Sequence, residues 1–268
     1  YIVRAFVDNA DRVLSISPTY DNFRAVAESN GAHVQFYDLD SNFDLDFDKF
    51  HEELKLIKPK VVYIVNPNNP TGSIFSSNDL YDLINKNENI LFIIDEAYFE
   101  FSNVTLSIFV SELNNLLISR TFSKAFALAS FRIGYLISCS NNIEIINRIR
   151  NPKNISLFAQ EAAIAALDDI EYTKNYVKLV DIAKTNFINF LKAFDWMNPI
   201  EGKGNFVFIE LDNIQIKIDL INYLKTNKIF IRDYGHIEKT KNYVRITIGN
   251  SEQMEIVKSK ILNFSKSI

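Results

Sequence analysis

Val61-Val62-Tyr63-Ile64-Val65 runs directly into Asn66-Pro67-Asn68-Asn69-Pro70-Thr71-Gly72, so a short apolar, β-branched stretch ends in a stiff polar turn. A stretch this short and apolar on both faces suits a strand buried inside a mostly parallel sheet. In the turn, proline fixes φ and asparagine amides bond nearby backbone, which together specify a rigid loop. Ligands of open α/β sheets bind outside the carboxyl ends of strands. An ordinary turn has the same composition, so the segment gains meaning only from what surrounds it.

On either side of this stretch, short β-branched runs alternate with helical patterns from Arg12 to about Ser138, the alternation of a sheet with crossover helices. The strands are expected at Val13 to Ser17, His33 to Tyr37, Val61 to Val65, Leu91 to Ile94, Leu116 to Ser119 and Gly134 to Ser138. Helices are expected at Asn22 to Ser29, Phe47 to Leu56 and Ser77 to Lys86, the last capped by Ser76 or Ser77. A long helical stretch runs from Ile143 to about Phe194, broken around Asn151 to Ser156. After Trp196 come a strand (Asn205 to Leu211), a helix (Lys217 to Thr226), two strands (Ile229 to Arg232 and Tyr243 to Ile248) and a closing helix (Glu252 to Phe264). The expected organisation is a large domain over 1-150, a connecting helical segment over 151-195 and a small α+β domain over 196-268.

The 268 residues are 47% hydrophobic, enough for a sizeable core, and the formal charge of -4 gives no broad cationic footprint for nucleic acid. Cys139 stands alone and His33, His51 and His236 are scattered, so neither an internal disulfide nor a metal site is expected, and a reducing cytoplasm fits. No apolar run reaches the roughly 20 residues that span a bilayer, which points to a soluble protein. The chain opens on Tyr1 rather than methionine, and Tyr1 to Phe6 reads as the later part of a helix, so more sequence is expected before it.

Two further segments carry chemistry. Ile93-Ile94-Asp95-Glu96-Ala97-Tyr98-Phe99-Glu100-Phe101 puts an acid at a strand's end. Asp95 there could cap a helix starting just after it, join Glu96 in a metal site, or belong to an ATPase, although no Gly-x-x-x-x-Gly-Lys loop supports the last. Ser119-Arg120-Thr121-Phe122-Ser123-Lys124 through Arg132-Ile133-Gly134-Tyr135 comes after another strand and sets two hydroxyls beside a lysine, with an arginine further on that could grip an anion. A lone lysine is ordinarily a solvated charge; its company is what singles out Lys124.

Together, and in this order and spacing, the three segments resemble the fold-type I pyridoxal-phosphate enzymes of the class I/II aminotransferase group, above all the histidinol-phosphate aminotransferase branch. The resemblance runs from Ser17-Pro18-Thr19-Tyr20 to Tyr243-Val244-Arg245-Ile246-Thr247-Ile248-Gly249. It implies a three-layer αβα transferase fold with a mostly parallel central sheet and a small C-terminal α+β domain. It also implies pyridoxal 5'-phosphate held by Lys124 as a Schiff base, with Asp95 against the ring nitrogen and Asn69 and Tyr98 at the phenolic oxygen. Tyr20 would stack on the ring, and Thr121, Ser123 and Arg132 would hold the phosphate. Arg245 falls where the substrate carboxylate is taken, and Arg232 and Asn205 fall near the substrate. Arg245 could otherwise be a surface arginine at a strand edge, and Asp233 could simply neutralise Arg232.

The family's remaining phosphate contacts, and the tyrosine that a partner subunit lends, belong to sequence before Tyr1. The chain departs from the branch at Arg150-Asn151-Pro152-Lys153-Asn154, where Lys153 replaces an apolar residue, and at Ala129-Ser130-Phe131. The first change would suit an anionic substrate if Lys153 faced it, and would mean little if Lys153 were exposed. The implied activity is amino transfer in amino-acid biosynthesis, with glutamate donating to a small phosphorylated keto compound in a homodimer. Its rivals are decarboxylation of a phosphorylated amino acid, of phosphoserine or phosphothreonine type, and cofactor binding without catalysis.

Overall fold

A computed structural model describes residues 1–268. The chain divides into two compact units, Tyr1–Asn69 with Ser73–Ile170, and Pro70–Gly72 with Glu171–Ile268.

The first unit runs α1 (Ile2–Phe6), β1 (Arg12–Ser17), α2 (Asn22–Ser29), β2 (His33–Asp38), α3 (Phe47–Ile57), β3 (Val61–Val65), α4 (Ser77–Asn85), β4 (Leu91–Asp95), β5 (Leu116–Thr121), β6 (Gly134–Ser138), α5 (Ser140–Ile149) and α6 (Leu157–Asp168). Its six strands form one sheet in the order β2-β1-β3-β4-β5-β6, with every pairing parallel except β5 to β6. The sheet is the mostly parallel α/β sheet expected from the alternation of strands and helices. Residues of β3 are buried without exception, as a central strand covered on both faces must be.

Successive strand residues point to opposite faces. Val13, Val61, Tyr63, Val65, Ile93 and Leu117 therefore share one face, and they pack with Val3 of α1, Ala27 of α2 and Ile146 of α5. Leu14, Ile16, Val62, Ile64, Phe92, Ile94 and Ile118 fill the other face and are fully buried there. Helix starts reflect local chemistry: the Asp46 and Ser76 side chains accept backbone N–H groups from Lys49 and Asp79 and so cap α3 and α4. Parallel register aligns the strand ends, Val65 with Asp95 and Asp95 with Ser119, so the three segments that drew notice in sequence finish side by side.

The second unit contains α7 (Ile170–Leu191), β7 (Met197–Ile200), β8 (Phe206–Leu211), α8 (Ile214–Thr226), β9 (Arg232–Asp233), β10 (Tyr243–Thr247) and α9 (Ser251–Ser265). Its strands make an antiparallel sheet in the order β7-β8-β10-β9. Two elements differ from the sequence reading. The strand expected from Ile229 to Arg232 is reduced to Arg232–Asp233, because Lys228 turns left-handed (φ 65°) and the Ile229 N–H closes back on the Leu224 carbonyl to end α8. Strand β7 was not foreseen; Pro199 masks it, and proline is tolerated there because β7 is an edge strand.

Candidate active site

The turn after β3 divides its three asparagines between two tasks. Asn66 closes a two-way bridge with the Phe75 backbone (both 3.0 Å), and Asn68 accepts from Thr19 Oγ1 (2.7 Å) and donates to the Pro18 carbonyl (2.9 Å). These buried amides satisfy backbone that the prolines leave without a ladder. Asn69 is left to line a cavity.

That cavity, of about 300 Å³, opens at the carboxyl ends of β3, β4 and β5. Asn69, Asp95, Tyr98 and Lys124 line it, as do Tyr20, Thr121, Ser123 and Arg132, so the eight residues singled out in sequence for the cofactor are brought together. Val65, Ala97, Ser119 and Arg120 complete the lining and were not singled out. Ser119 and Arg120 share a strand end with Thr121, which was the signal available for them.

Asp95 is not a helix cap; it ends β4 and accepts the Ala97 N–H on Oδ1 (3.1 Å) and the Tyr63 hydroxyl on Oδ2 (2.7 Å). Burial raises its pKa above the ordinary carboxylate value, while the Tyr63, Ala97 and Ser119 hydrogen bonds and the Lys124 charge act against that rise. Lys124 is half-buried, with Nζ 5.4 Å from the centre of the Tyr98 ring. The Thr121 hydroxyl accepts the Ser123 N–H (3.0 Å), which fixes the loop that carries Lys124. Arg132 holds a left-handed backbone (φ 53°) directly after the short turn Ala129–Phe131. Arg120, from the lining, pairs with the buried Glu96, Nη2 to Oε2 at 2.8 Å.

The remaining candidates belong to the second unit. Arg245 on β10 lies over the Phe206 ring, 5.0 Å from its centre, and is directly paired with Arg232 on β9. Asp233 does not neutralise Arg232: it accepts from Lys217 Nζ (2.8 Å) and from the Gly235 N–H (2.8 Å). Asn205 precedes β8, and its carbonyl accepts the Ile248 N–H. In the first unit, Lys153 is exposed in the turn after α5 and does not line the cavity.

A family model for aminotransferase class I and II matches residues 1–261. The chain belongs to that family. The aminotransferase is 44% identical over 268 residues to a dihydroxyacetone phosphate transaminase of Campylobacter jejuni, covering 99% of this chain and 72% of the relative. It is 32% identical over 265 residues to a histidinol-phosphate aminotransferase of Clostridium kluyveri, covering 99% and 73%. Its fold matches the histidinol-phosphate aminotransferase of Clostridium acetobutylicum with a TM-score of 0.92 at 25% identity, over 100% of this chain and 81% of that one. The Sinorhizobium meliloti histidinol-phosphate aminotransferase, solved in complex with pyridoxal-5'-phosphate, also gives 0.92 at 24% identity, over 99% and 73%.

The enzyme is thus a transferase of nitrogenous groups from a family that works with pyridoxal 5'-phosphate. The lining suits that group. A cavity with a carboxylate, an amine, flanking aromatic rings and a cluster of hydroxyls with a guanidinium matches a flat, cationic ring that carries an aldehyde and a phosphate.

Proposed function

We propose that the enzyme transfers an amino group, with glutamate as donor, to a small phosphorylated keto compound. The observation that carries this reading is the sharing of one cavity by Lys124 and Asp95 at the ends of adjacent strands. Two curated relatives, a dihydroxyacetone phosphate transaminase and a histidinol-phosphate aminotransferase, are named for phosphorylated substrates.

Pyridoxal 5'-phosphate, when bound, supplies an aldehyde that takes up amines and a ring that withdraws electrons from the substrate's α-carbon. The chain's own residues do the rest. Lys124 would hold the aldehyde through its amine and, once displaced by the amine of the substrate, would move the proton at the α-carbon. Asp95 accepts the ring's N–H through a charge-assisted hydrogen bond. Asn69 and Tyr98 would donate to the phenolic oxygen, Tyr20 would cover the ring face, and Thr121, Ser123 and Arg132 would hold the phosphate.

Arg245 takes the carboxylate of glutamate and Arg232 the phosphate of the keto compound, with Asn205 alongside. Cations directly opposite one another on paired strands repel, and Asp233, the acid nearest Arg232, is committed to Lys217. A dianionic substrate therefore fits the pair.

We also infer a homodimer in the cytoplasm. Leu157, Phe158, Ile164 and Leu167 of α6 are exposed, an apolar stretch that a second copy would cover. Sedimentation of the full-length protein as a monomer only would remove this part of the reading.

The activity is tested by mixing the cofactor-loaded enzyme with glutamate and following the visible spectrum. Conversion to the pyridoxamine form, with return on adding dihydroxyacetone phosphate or another phosphorylated keto compound, is the expected result. Carbon dioxide release from a phosphorylated amino acid would replace transamination by decarboxylation. No spectral change with any amine would leave binding without catalysis.

A further inference from the structure

One phenol touches Asp95 without being part of the lining of the cavity that holds Lys124. Tyr63 is mid-strand in β3, in register with Ile93 of β4. Asp95 stands two residues beyond Ile93 and so on the same face, where an aromatic side chain reaches a diagonal cross-strand neighbour. The Tyr63 hydroxyl donates to Asp95 Oδ2 at 2.7 Å. Tyr63 does not line the cavity, so anything it does there it does through Asp95.

Two contacts hold the residue that carries the hydroxyl in place. The Tyr63 ring is 4% exposed and stacks on Phe23 of α2, with centres 4.2 Å apart and planes 5° from parallel. Its backbone carbonyl accepts the buried Ser15 hydroxyl at 2.9 Å. Proton direction is also set: burial, with the Asp95 charge second, pushes the phenol well above its ordinary pKa, so it stays protonated and can only donate to Asp95. Asp95 meanwhile uses Oδ1 for the Ala97 N–H.

We propose that Tyr63 is a positioning residue of this aminotransferase, whose hydroxyl keeps Asp95 ionised and oriented so that the shared proton stays on the cofactor's ring nitrogen. The proposal rests on Asp95 being the ring's partner. A hydrogen bond donated to a carboxylate favours its charged form and makes it a weaker base. Without the donor, burial meets less opposition, Asp95 becomes a stronger base that competes for the proton, and the ring loses the charge that makes it electron-withdrawing.

The test loads full-length protein with cofactor labelled with nitrogen-15 in the ring and records the ring-nitrogen chemical shift against pH. In the native protein the shift should stay at the pyridinium value through neutral pH. In Tyr63→Phe it should move towards neutral pyridine, with kcat at pH 7 about tenfold lower and KM within twofold. A tenfold loss corresponds to about 1.4 kcal/mol. In cofactor-free protein, the Asp95 carboxyl should titrate higher in Tyr63→Phe than in the native chain.

Replacing Tyr63 by 3-fluorotyrosine keeps shape and hydroxyl while strengthening the donor, and should move the Asp95 titration the opposite way. This second measurement decides the matter if Tyr63→Phe fails to fold. Phe23→Leu, which removes the stack but not the hydroxyl, should leave the ring-nitrogen shift in place. Native ring-nitrogen behaviour in a folded Tyr63→Phe protein, or an unmoved Asp95 titration with fluorotyrosine, overturns the proposal. Asp95→Asn separates the layers: if it too leaves the ring protonated, the reading of Asp95 itself fails. If Asp95→Asn discharges the ring and Tyr63→Phe does not, only the role given to Tyr63 fails.

Discussion

Arg120 directs two nitrogens at a single oxygen of Glu96, Nε at 2.9 Å and Nη2 at 2.8 Å from Oε2. The Glu96 side chain is fully buried, and its other oxygen accepts the Leu106 N–H at 2.8 Å. Thr105 donates to Glu96 Oε2 (2.9 Å) and also accepts from Arg120 (2.7 Å), and the Arg120 guanidinium lies 3.6 Å from the centre of the Phe99 ring. Because Glu96 comes directly after Asp95 and Arg120 directly after Ser119, this pair ties together the strand ends that line the cavity.

Arg120→Met should destabilise the protein by about 3 to 5 kcal/mol, since it leaves a buried carboxylate with no counter-charge. Denaturant unfolding of the cofactor-free protein checks it. The double variant Arg120→Met with Glu96→Leu should recover much of the loss, because the orphaned charge goes with its partner.

Asp95 makes a prediction about pH. Burial holds its carboxyl above the ordinary value of 3.8, so the folded chain binds this proton more tightly than the unfolded chain does. The stability contributed by protonated Asp95 is fully present below the ordinary value and is lost as pH rises through the folded one. Cofactor-free Asp95→Asn should therefore match the native protein at acid pH and exceed it in melting temperature at pH 7. A native protein that stays the more stable at pH 7 would count against a raised Asp95.

Lys184 of α7 is 6% exposed and donates to two carbonyls, Gly202 (2.8 Å) and Gly204 (3.0 Å). The turn it braces lies against Gly72, whose carbonyl accepts the Lys203 N–H (2.7 Å). Gly72 has φ +77°, and a Cβ there would come within 3.0 Å of Gly202 Cα. Lys184→Met removes both donors and should cost about 1 to 3 kcal/mol for each buried carbonyl left unpaired. Burial lowers the Lys184 pKa below 10.5, so native stability relative to the variant should rise with pH between the lowered value and 10.5. Urea titrations at two alkaline pH values and at neutral pH read this slope.

Arg245→Ala should raise KM for glutamate, whose carboxylate it takes, by about 10- to 150-fold, the equivalent of losing one charge-assisted hydrogen-bond pair worth about 1.5 to 3 kcal/mol. Arg232→Ala should do the same for phosphorylated substrates and much less for a substrate that lacks the phosphate. Steady-state kinetics with the two substrate classes distinguishes the guanidinium that reads phosphate from the one that reads carboxylate.

Much of the first unit is visible in the order of its residues. The runs Val61 to Val65 and Leu91 to Ile94 are apolar throughout, as suits strands covered on both faces, and each is followed by polar chemistry. Asp95 and Lys124 drew attention because each follows such a run in polar company, and the resemblance to the family then added Asn69 and gave all three their roles. The second unit was harder to read. Ile229 and Phe230 have strong strand preferences, yet Lys228 turns left-handed and the Ile229 N–H closes the end of α8, so the strand starts only at Arg232. Pro199 argues against a strand that the sheet edge nonetheless accommodates.

What the sequence determined by itself is the alternation of elements, the chemistry at each strand's carboxyl end and the family those segments spell. These are local properties, set by side-chain period, caps and turn residues within a few positions of one another. The tertiary structure alone decided that Tyr63 donates to Asp95, that Lys184 braces the Gly202–Gly204 turn, and that Asp233 answers Lys217 rather than Arg232. Each of these links joins residues 16 or more positions apart. A hydrogen bond depends on ångström-scale geometry, which strand register and helix packing supply and residue order does not.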